Sequence, residues 1–224
     1  MRLRALLFDF DGTILDTESS EFASWQAVYR EHGCELGLAE WLPCIGTAEN
    51  VFDPLEALEQ QLGRSLERER VEAGRREAHL VELDKLTVLA GVAEYIREAE
   101  RRGVALAVAS SSSRAWVEGH LGRLGLLERF AVIRCRDDVR RTKPDPELFL
   151  AAVRGLGVRP GEAVAIEDSL NGVRAAKAAG LFTVAVPGPM TRSLDFAAAD
   201  LVVGSLLELP LSELVSRHSA QQAS

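Results

Sequence analysis

The sequence is short of cysteine, of positive charge and of long apolar runs, and each shortage closes off a class of protein. Its three cysteines, Cys34, Cys44 and Cys135, are odd in number and form no C-x-x-C pair, so neither a disulfide framework nor a zinc knuckle is indicated. Reducing cytosol is the natural setting, and a cytoplasmic location is expected. The 26 basic residues are outnumbered by 34 acidic ones, giving a net charge of −8 with no basic block. Nucleic acid and anionic membrane are therefore not expected as partners. No stretch approaches the roughly 20 apolar residues needed to span a bilayer. Arg2 and Arg4 precede an apolar run interrupted at Asp9, too short for a secretory signal, so none is expected. Internal repeats and low-complexity segments are missing as well.

What is present is ordinary in bulk. Of 224 residues, 47% are hydrophobic and 27% charged, values of a globular chain rather than a disordered or fibrous one. At about 150 residues per domain the length suits one domain with an insertion, or two small ones. Such a chain buries roughly 70–75% of its unfolded surface and needs no disulfide or structural metal.

Short apolar runs of strand length recur at Ala5–Phe10, Val104–Ala109, Phe130–Ile133, Ala163–Ile166, Phe182–Val186 and Leu201–Val203. They are continuous rather than alternating, as strands buried on both faces of a parallel sheet are. Between them the period is helical: Val92, Tyr95, Ile96 and Ala99 keep one stripe, and Val117, Leu121 and Leu124 another. Strand and helix alternate, which predicts an α/β fold with a doubly wound, Rossmann-like parallel sheet. One gap breaks the rhythm. Between Asp9 and Val92 no strand pattern occurs, while Phe22, Trp25 and Tyr29, and then Val51, Leu55, Leu58 and Leu62, follow helical stripes. A helical domain inserted after the first strand is expected, with Arg64–Glu77 as a solvated helix face. The polar end, Ser219–Ser224, is expected to fray.

Four clusters could carry chemistry. Asp9 and Asp11, in Phe8-Asp9-Phe10-Asp11-Gly12-Thr13, are carboxylates at i and i+2 beyond a strand, projecting to one side at the sheet edge where α/β proteins bind ligands. Like charges that close share a proton or recruit a cation. Gly12 permits a sharp turn, and the amides after it could face an anion. A bare D-x-D also reads as an acidic loop capping the next helix. Ser110–Ser113 follow another strand; serines there cap helices or hold phosphoryl oxygens. In Lys143-Pro144-Asp145-Pro146 the prolines give an extended entry and open a helix over Glu147–Leu156. A lone lysine is ordinarily solvated, but here its backbone direction is fixed. Glu167 and Asp168 stand where a buried strand meets a helix, and serve either as caps or as hard oxygen ligands for Mg²⁺. Together the four strand ends make an acid-rich pocket with one fixed cation.

These motifs, with Ser169, Asn171 and Gly172, resemble in order and spacing those of the haloacid dehalogenase (HAD) superfamily, most closely its β-phosphoglucomutase-like phosphatase branch. The resemblance spans the chain and implies a Rossmann-like core over 1–17 and 86–224, with a helical cap over 18–85. It implies an Mg²⁺-dependent phosphatase acting on a small phosphorylated metabolite, such as a sugar phosphate. Asp9 would be the nucleophile forming an aspartyl-phosphate, and Asp11 the general acid and base. Gly12, Thr13, Ser110, Ser111 and Lys143 would hold the phosphoryl group. Asp9, the Asp11 carbonyl and Asp168 would bind Mg²⁺, with Glu167 a direct or water-mediated ligand.

The mutase of this branch places a histidine and an arginine in its cap, where this chain has Glu21 and Glu49, so hydrolysis is favoured over phosphotransfer. Glu21, Thr47, Asn50, Arg75 and Arg114 are candidate specificity residues, with Arg75, Arg76 or Arg114 able to offset the acidic pair. Competing readings are a phosphotransferase, a receiver-like module whose aspartyl-phosphate is the output, and a non-catalytic binding protein. Hinges are expected near Leu15–Glu18 and Leu83–Leu89, and the expected oligomeric state is a monomer.

Overall fold

A computed structural model describes residues 2–46 and 52–221. Six strands lie where the apolar runs predict them, shifted at their ends by one or two residues: β1 (Ala5–Phe8), β2 (Ala105–Ala109), β3 (Val132–Arg134), β4 (Ala163–Glu167), β5 (Phe182–Ala185) and β6 (Leu201–Val202). All pair in parallel, in the order β3-β2-β1-β4-β5-β6. Phe8 of β1 stands between Val108 and Ile166. The chain therefore winds outward in both directions from β1, and the crevice at the carboxyl ends of β1, β2 and β4 is the topological switch point where such sheets bind ligands.

The helices are α1 (Thr17–Glu31), α2 (Leu38–Trp41), α3 (Pro54–Leu62), α4 (Arg68–Leu83), α5 (Val92–Arg102), α6 (Arg114–Arg123), α7 (Glu147–Leu156), α8 (Leu170–Ala178) and α9 (Leu211–Gln221). Side chains alternate across the sheet with a bias in size. Leu6, Phe8, Leu106, Val108, Val164 and Ile166 face one side, where Val92, Tyr95 and Ile96 of α5 and Leu211 and Leu214 of α9 cover them. Ala5, Ala107, Ala109, Ala163 and Ala165 face the other, opposite Phe149, Ala152 and Val153 of α7 and Ala175 and Ala176 of α8. Small residues on that face let α7 and α8 approach closely, as close-packed interiors require.

Helices α1–α4 fill the strand-free stretch and bury a cluster of their own, built from Trp25, Tyr29, Trp41, Leu55 and Leu58. Asp16 caps α1, accepting from the Ser19 amide at 3.1 Å, and Asp53 caps α3. Much of α4 is solvated, as its charge pattern predicts. The C-terminal end differs from expectation: α9 continues to Gln221, whose amide donates to Asp200 at 2.7 Å.

Tyr95 joins α5 to the segment before α9 by donating from a buried hydroxyl to the Leu209 carbonyl. Tyr95→Phe leaves that carbonyl without its donor. Urea denaturation should show a loss of about 1–3 kcal/mol, the usual penalty for an orphaned buried polar group.

Candidate active site

β1 delivers Asp9 to the carboxyl edge. The Asp9 amide donates to the Ile166 carbonyl at 2.9 Å, which extends the ladder by one residue and fixes where its side chain emerges. The neighbouring strand β4 ends in Glu167, with Asp168 the next residue. Lys143 enters from the loop before α7 and is fully buried, donating to Asp9 Oδ1 and, at 2.5 Å, to Glu167 Oε1. Burial works against its charge, but Asp9 and Glu167 outweigh burial and hold the ammonium above its ordinary range. A buried charge survives only when paired in this way.

Glu167 is itself fully enclosed. Its second oxygen accepts from the Ser169 hydroxyl at 3.2 Å and from the amides of Asp168 (3.2 Å) and Ser169 (3.4 Å). The fit depends on Gly172: a Cβ there would lie 1.9–2.0 Å from the Glu167 carboxyl. Asp168 has a matching requirement, because a Cβ on Gly12 would lie 2.1 Å from its Oδ2. Gly12 also has φ +84°, a backbone that side chains resist.

Oxygens of Asp9, Glu167 and Asp168 lie within 4.8 Å of one another. Burial, reinforced by the neighbouring acids, raises Asp9 to about 8 and Asp168 well above its usual range, with Lys143 opposing both. Ionised together, three enclosed carboxylates would outnumber the one ammonium, and the raised Asp9 and Asp168 hold protons in place of that excess until a cation binds. This set of hard oxygen donors fits a small divalent cation such as Mg²⁺.

Asp11 lies at the rim. Its Oδ1 accepts from the Thr17 hydroxyl (2.6 Å) and the Trp116 indole N–H (2.8 Å), and its Oδ2 from the Ser112 hydroxyl (2.6 Å), with Ser110 at 3.4 Å. Of these, the sequence singled out only the serine run. Thr17 and Trp116 carried no signal, because an i+6 hydroxyl and an indole a hundred residues away acquire meaning only in the fold. Ser113 is the serine that caps α6, accepting from the Trp116 amide.

The other expected phosphate-binding and specificity residues are engaged as follows. The amides of Gly12 and Thr13 are spent within their own turn, on Leu15 and Phe10, and the buried Thr13 hydroxyl has no partner among the described residues. The Ser111 hydroxyl donates to the Gly46 carbonyl at 3.2 Å instead of facing Asp9. Arg114 is neutralised by Glu118 (2.5 Å) and Asp138 (2.7 Å) and holds the start of α6 rather than a ligand. Arg75 lies 3.8 Å from Glu21, donates to Ser24 and stacks over Trp25. Thr47, Glu49 and Asn50 lie outside the described residues.

This architecture is that of the haloacid dehalogenase-like hydrolases. Residues 6–186 match the sequence model of that family, and the chain belongs to it. Among curated proteins it is 42% identical to "Putative phosphatase YhcW" of Bacillus subtilis, over 98% of this chain and 99% of that one. It is 33% identical to the N-acetylmuramic acid 6-phosphate phosphatase of Pseudomonas aeruginosa, over 83% and 82%. Among solved structures, CbbY from Rhodobacter sphaeroides in complex with phosphate superposes with a TM-score of 0.71 at 33% identity, over 92% and 96% of the two chains.

The Gly172 contact makes a direct test of this packing. Gly172→Ala should destabilise the protein by about 1–3 kcal/mol, as overpacking does, and should disturb Lys143 through Glu167. Unfolding by urea at wild-type midpoint would show that the carboxyl is not confined there.

Proposed function

We propose that the protein is a HAD-type phosphatase: an Mg²⁺-dependent, cytoplasmic phosphomonoesterase that hydrolyses a small phosphorylated metabolite, a sugar phosphate or similar, through an aspartyl-phosphate. The observation that carries this reading is the enclosed cluster of Asp9, Lys143, Glu167 and Asp168, with Asp11 hydrogen-bonded two residues from the nucleophile. The family membership and the phosphatases among its relatives support it. Unpaired thiols at Cys34, Cys44 and Cys135 suit a reducing compartment.

Asp9 attacks phosphorus in line, which divides a difficult displacement into two easier ones. Lys143 neutralises phosphoryl charge, and Ser110 offers its hydroxyl to a phosphoryl oxygen. Asp9, the Asp11 carbonyl and Asp168 are the groups that would hold Mg²⁺. Both Glu167 oxygens are already engaged, so Glu167 acts by fixing Lys143 and through water. When bound, Mg²⁺ supplies the positive charge that screens incoming phosphate from the carboxylates. Asp11, accepting from four donors, is arranged as the base that activates water. For the acid step it leaves Ser112 or Thr17 and turns toward the leaving oxygen. Residues 18–85 form the cap, hinging near Leu15–Glu18 and Leu83–Leu89. Glu21 is half exposed beside Arg75, and a second phosphate there would meet a carboxylate. Hydrolysis is therefore favoured over mutase-type transfer.

Three measurements follow from these roles. Wild-type protein should release phosphate from p-nitrophenyl phosphate with Mg²⁺, and Asp9→Asn should lose this by several orders of magnitude; equal turnover would remove the nucleophile assignment. With β-glucose 1-phosphate, free phosphate rather than an isomer should accumulate, and Asp11→Asn should stall as the phosphoenzyme.

The raised Asp9 carboxyl sets a pH dependence. Without metal the folded protein keeps a proton that the unfolded chain has released above about pH 4, so stability falls as pH rises from there toward about 8. Mg²⁺ binds the ionised form, so it should raise Tm more at pH 8 than at pH 6. Asp9→Asn should reduce this difference without abolishing it, because the raised Asp168 carboxyl carries the same linkage; an increment independent of pH in the wild type would contradict the assignment.

A further inference from the structure

A two-residue stretch of the helical insertion, Ile45–Gly46, is fastened to the core from two places, the loop after β2 and the first turn of α8. The Ser111 hydroxyl, just beyond β2, donates to the Gly46 carbonyl at 3.2 Å, and the Asn171 side-chain amide, in the first turn of α8, donates to the Ile45 carbonyl at 3.1 Å. Gly46 has φ +76°, and a Cβ on it would lie 2.2 Å from the Ser169 hydroxyl. The backbone therefore sits on the core as closely as a bare glycine allows. The Gly46 amide faces the other way, toward the Glu18 carboxylate. Nearby, Met190 leaves the loop after β5 and is buried in the insertion's own apolar cluster, beside Ile45 and Trp41.

The space beneath is correspondingly small. Between Gly12 and Asp168 of the core and Glu18 and Ile45 of the insertion the cavity measures about 10 Å³, room for about one water. Among the described residues little room is left beside Asp168 while Ile45–Gly46 is seated there, and lifting that strip would widen it.

We propose that Ser111 and Asn171 are positioning residues of a clasp that shuts the cap over the nucleophile by capturing the carbonyls of Ile45 and Gly46. Their hydrogen bonds exist only in the shut state, so they set the balance between admitting substrate and excluding water during hydrolysis. Ser111 thus contributes through its side chain to closure, beyond any part of its backbone in holding phosphate. The catalytic consequence rests on the phosphatase reading above, whereas the clasp itself does not.

The test compares hydrogen exchange and turnover in the full-length, Mg²⁺-loaded protein. Ser111→Ala should speed amide exchange within residues 42–46 by about two- to tenfold, the range one net hydrogen bond supports, while exchange in β1 and Tm stay at wild type. Asn171→Asp, which replaces the donor by a carboxylate facing a carbonyl, should speed it further. Ser111→Thr keeps the hydroxyl and should match wild type. In turnover of p-nitrophenyl phosphate the two opening variants should lose kcat by a similar factor, because the shut state carries the chemistry. Unchanged exchange in both opening variants, or equal acceleration in the Thr and Ala variants, would overturn the clasp. A wild-type protein that releases no phosphate would overturn the phosphatase reading, and the exchange comparison would still decide the clasp.

Discussion

The site depends on an imbalance of buried charge. Asp9, Glu167 and Asp168 are enclosed at the carboxyl edge of β1 and β4, and Lys143 is the cation that meets two of them directly. Isolated charges in such a place would be expelled or neutralised, because desolvation outweighs any gain short of close pairing. Geometry keeps the carboxyls crowded, and the raised Asp9 and Asp168 relieve the excess by holding protons until a cation replaces them. Neighbouring parallel strands bring the two acidic segments into register, and the Lys143-Pro144-Asp145-Pro146 segment carries the ammonium in beneath them. A cluster so arranged has a standing affinity for positive charge and, once screened, for a phosphoryl group. This explains how a chain of net charge −8 can attract an anion at this point.

Two glycines make the crowding sterically possible. Gly12 admits Asp168, and Gly172 admits Glu167. Gly12, beyond β1, faces the carboxylate that follows β4, so the two acidic segments meet where a side chain is missing; Gly172, in the first turn of α8, makes room for Glu167 of its own strand. The same device recurs at Gly46, where the helical insertion meets Ser169. Close backbone approach thus organises both the floor of the site and its cover.

Much of this was legible in the sequence, for identifiable reasons. The six strands showed because both faces of a parallel sheet are buried, so each strand becomes an unbroken apolar run. The helix Glu147–Leu156 showed because Pro146 opens it and Gly157 ends it. Asp9, Lys143, Glu167 and Asp168 showed because each follows an apolar run or a rigid proline pair. The misses share a cause. Trp116 and Thr17 reach Asp11 through contacts that only the fold creates, and α6 must be packed on the sheet before its indole has a direction. Arg114 looked available because its partners, Glu118 and Asp138, belong to a helix turn and a loop whose approach no spacing encodes. Gly12 and Thr13 looked like anion ligands because amides after a D-x-D are commonly free; here a tight turn back to Leu15 consumes them.

Charge and closure impose opposing demands on the helical insertion. Screening of phosphate by Lys143 and a bound cation is strongest when water is excluded, since electrostatic interactions strengthen as the local dielectric falls. A tightly shut cover, however, leaves about one water's volume beside Asp168. A clasp of two hydrogen bonds to backbone carbonyls reconciles the two. Each carbonyl is readily hydrated when released, so opening costs little more than the net value of the bonds, and closing restores them without rearranging the helices. Anchoring the clasp at Ser111 and Asn171 matters for the same reason. Ser111 adjoins Ser110 in the loop after β2, and Asn171 lies in the first turn of α8, three residues beyond Asp168, so closure is registered against the segments that would hold the phosphoryl group and the metal.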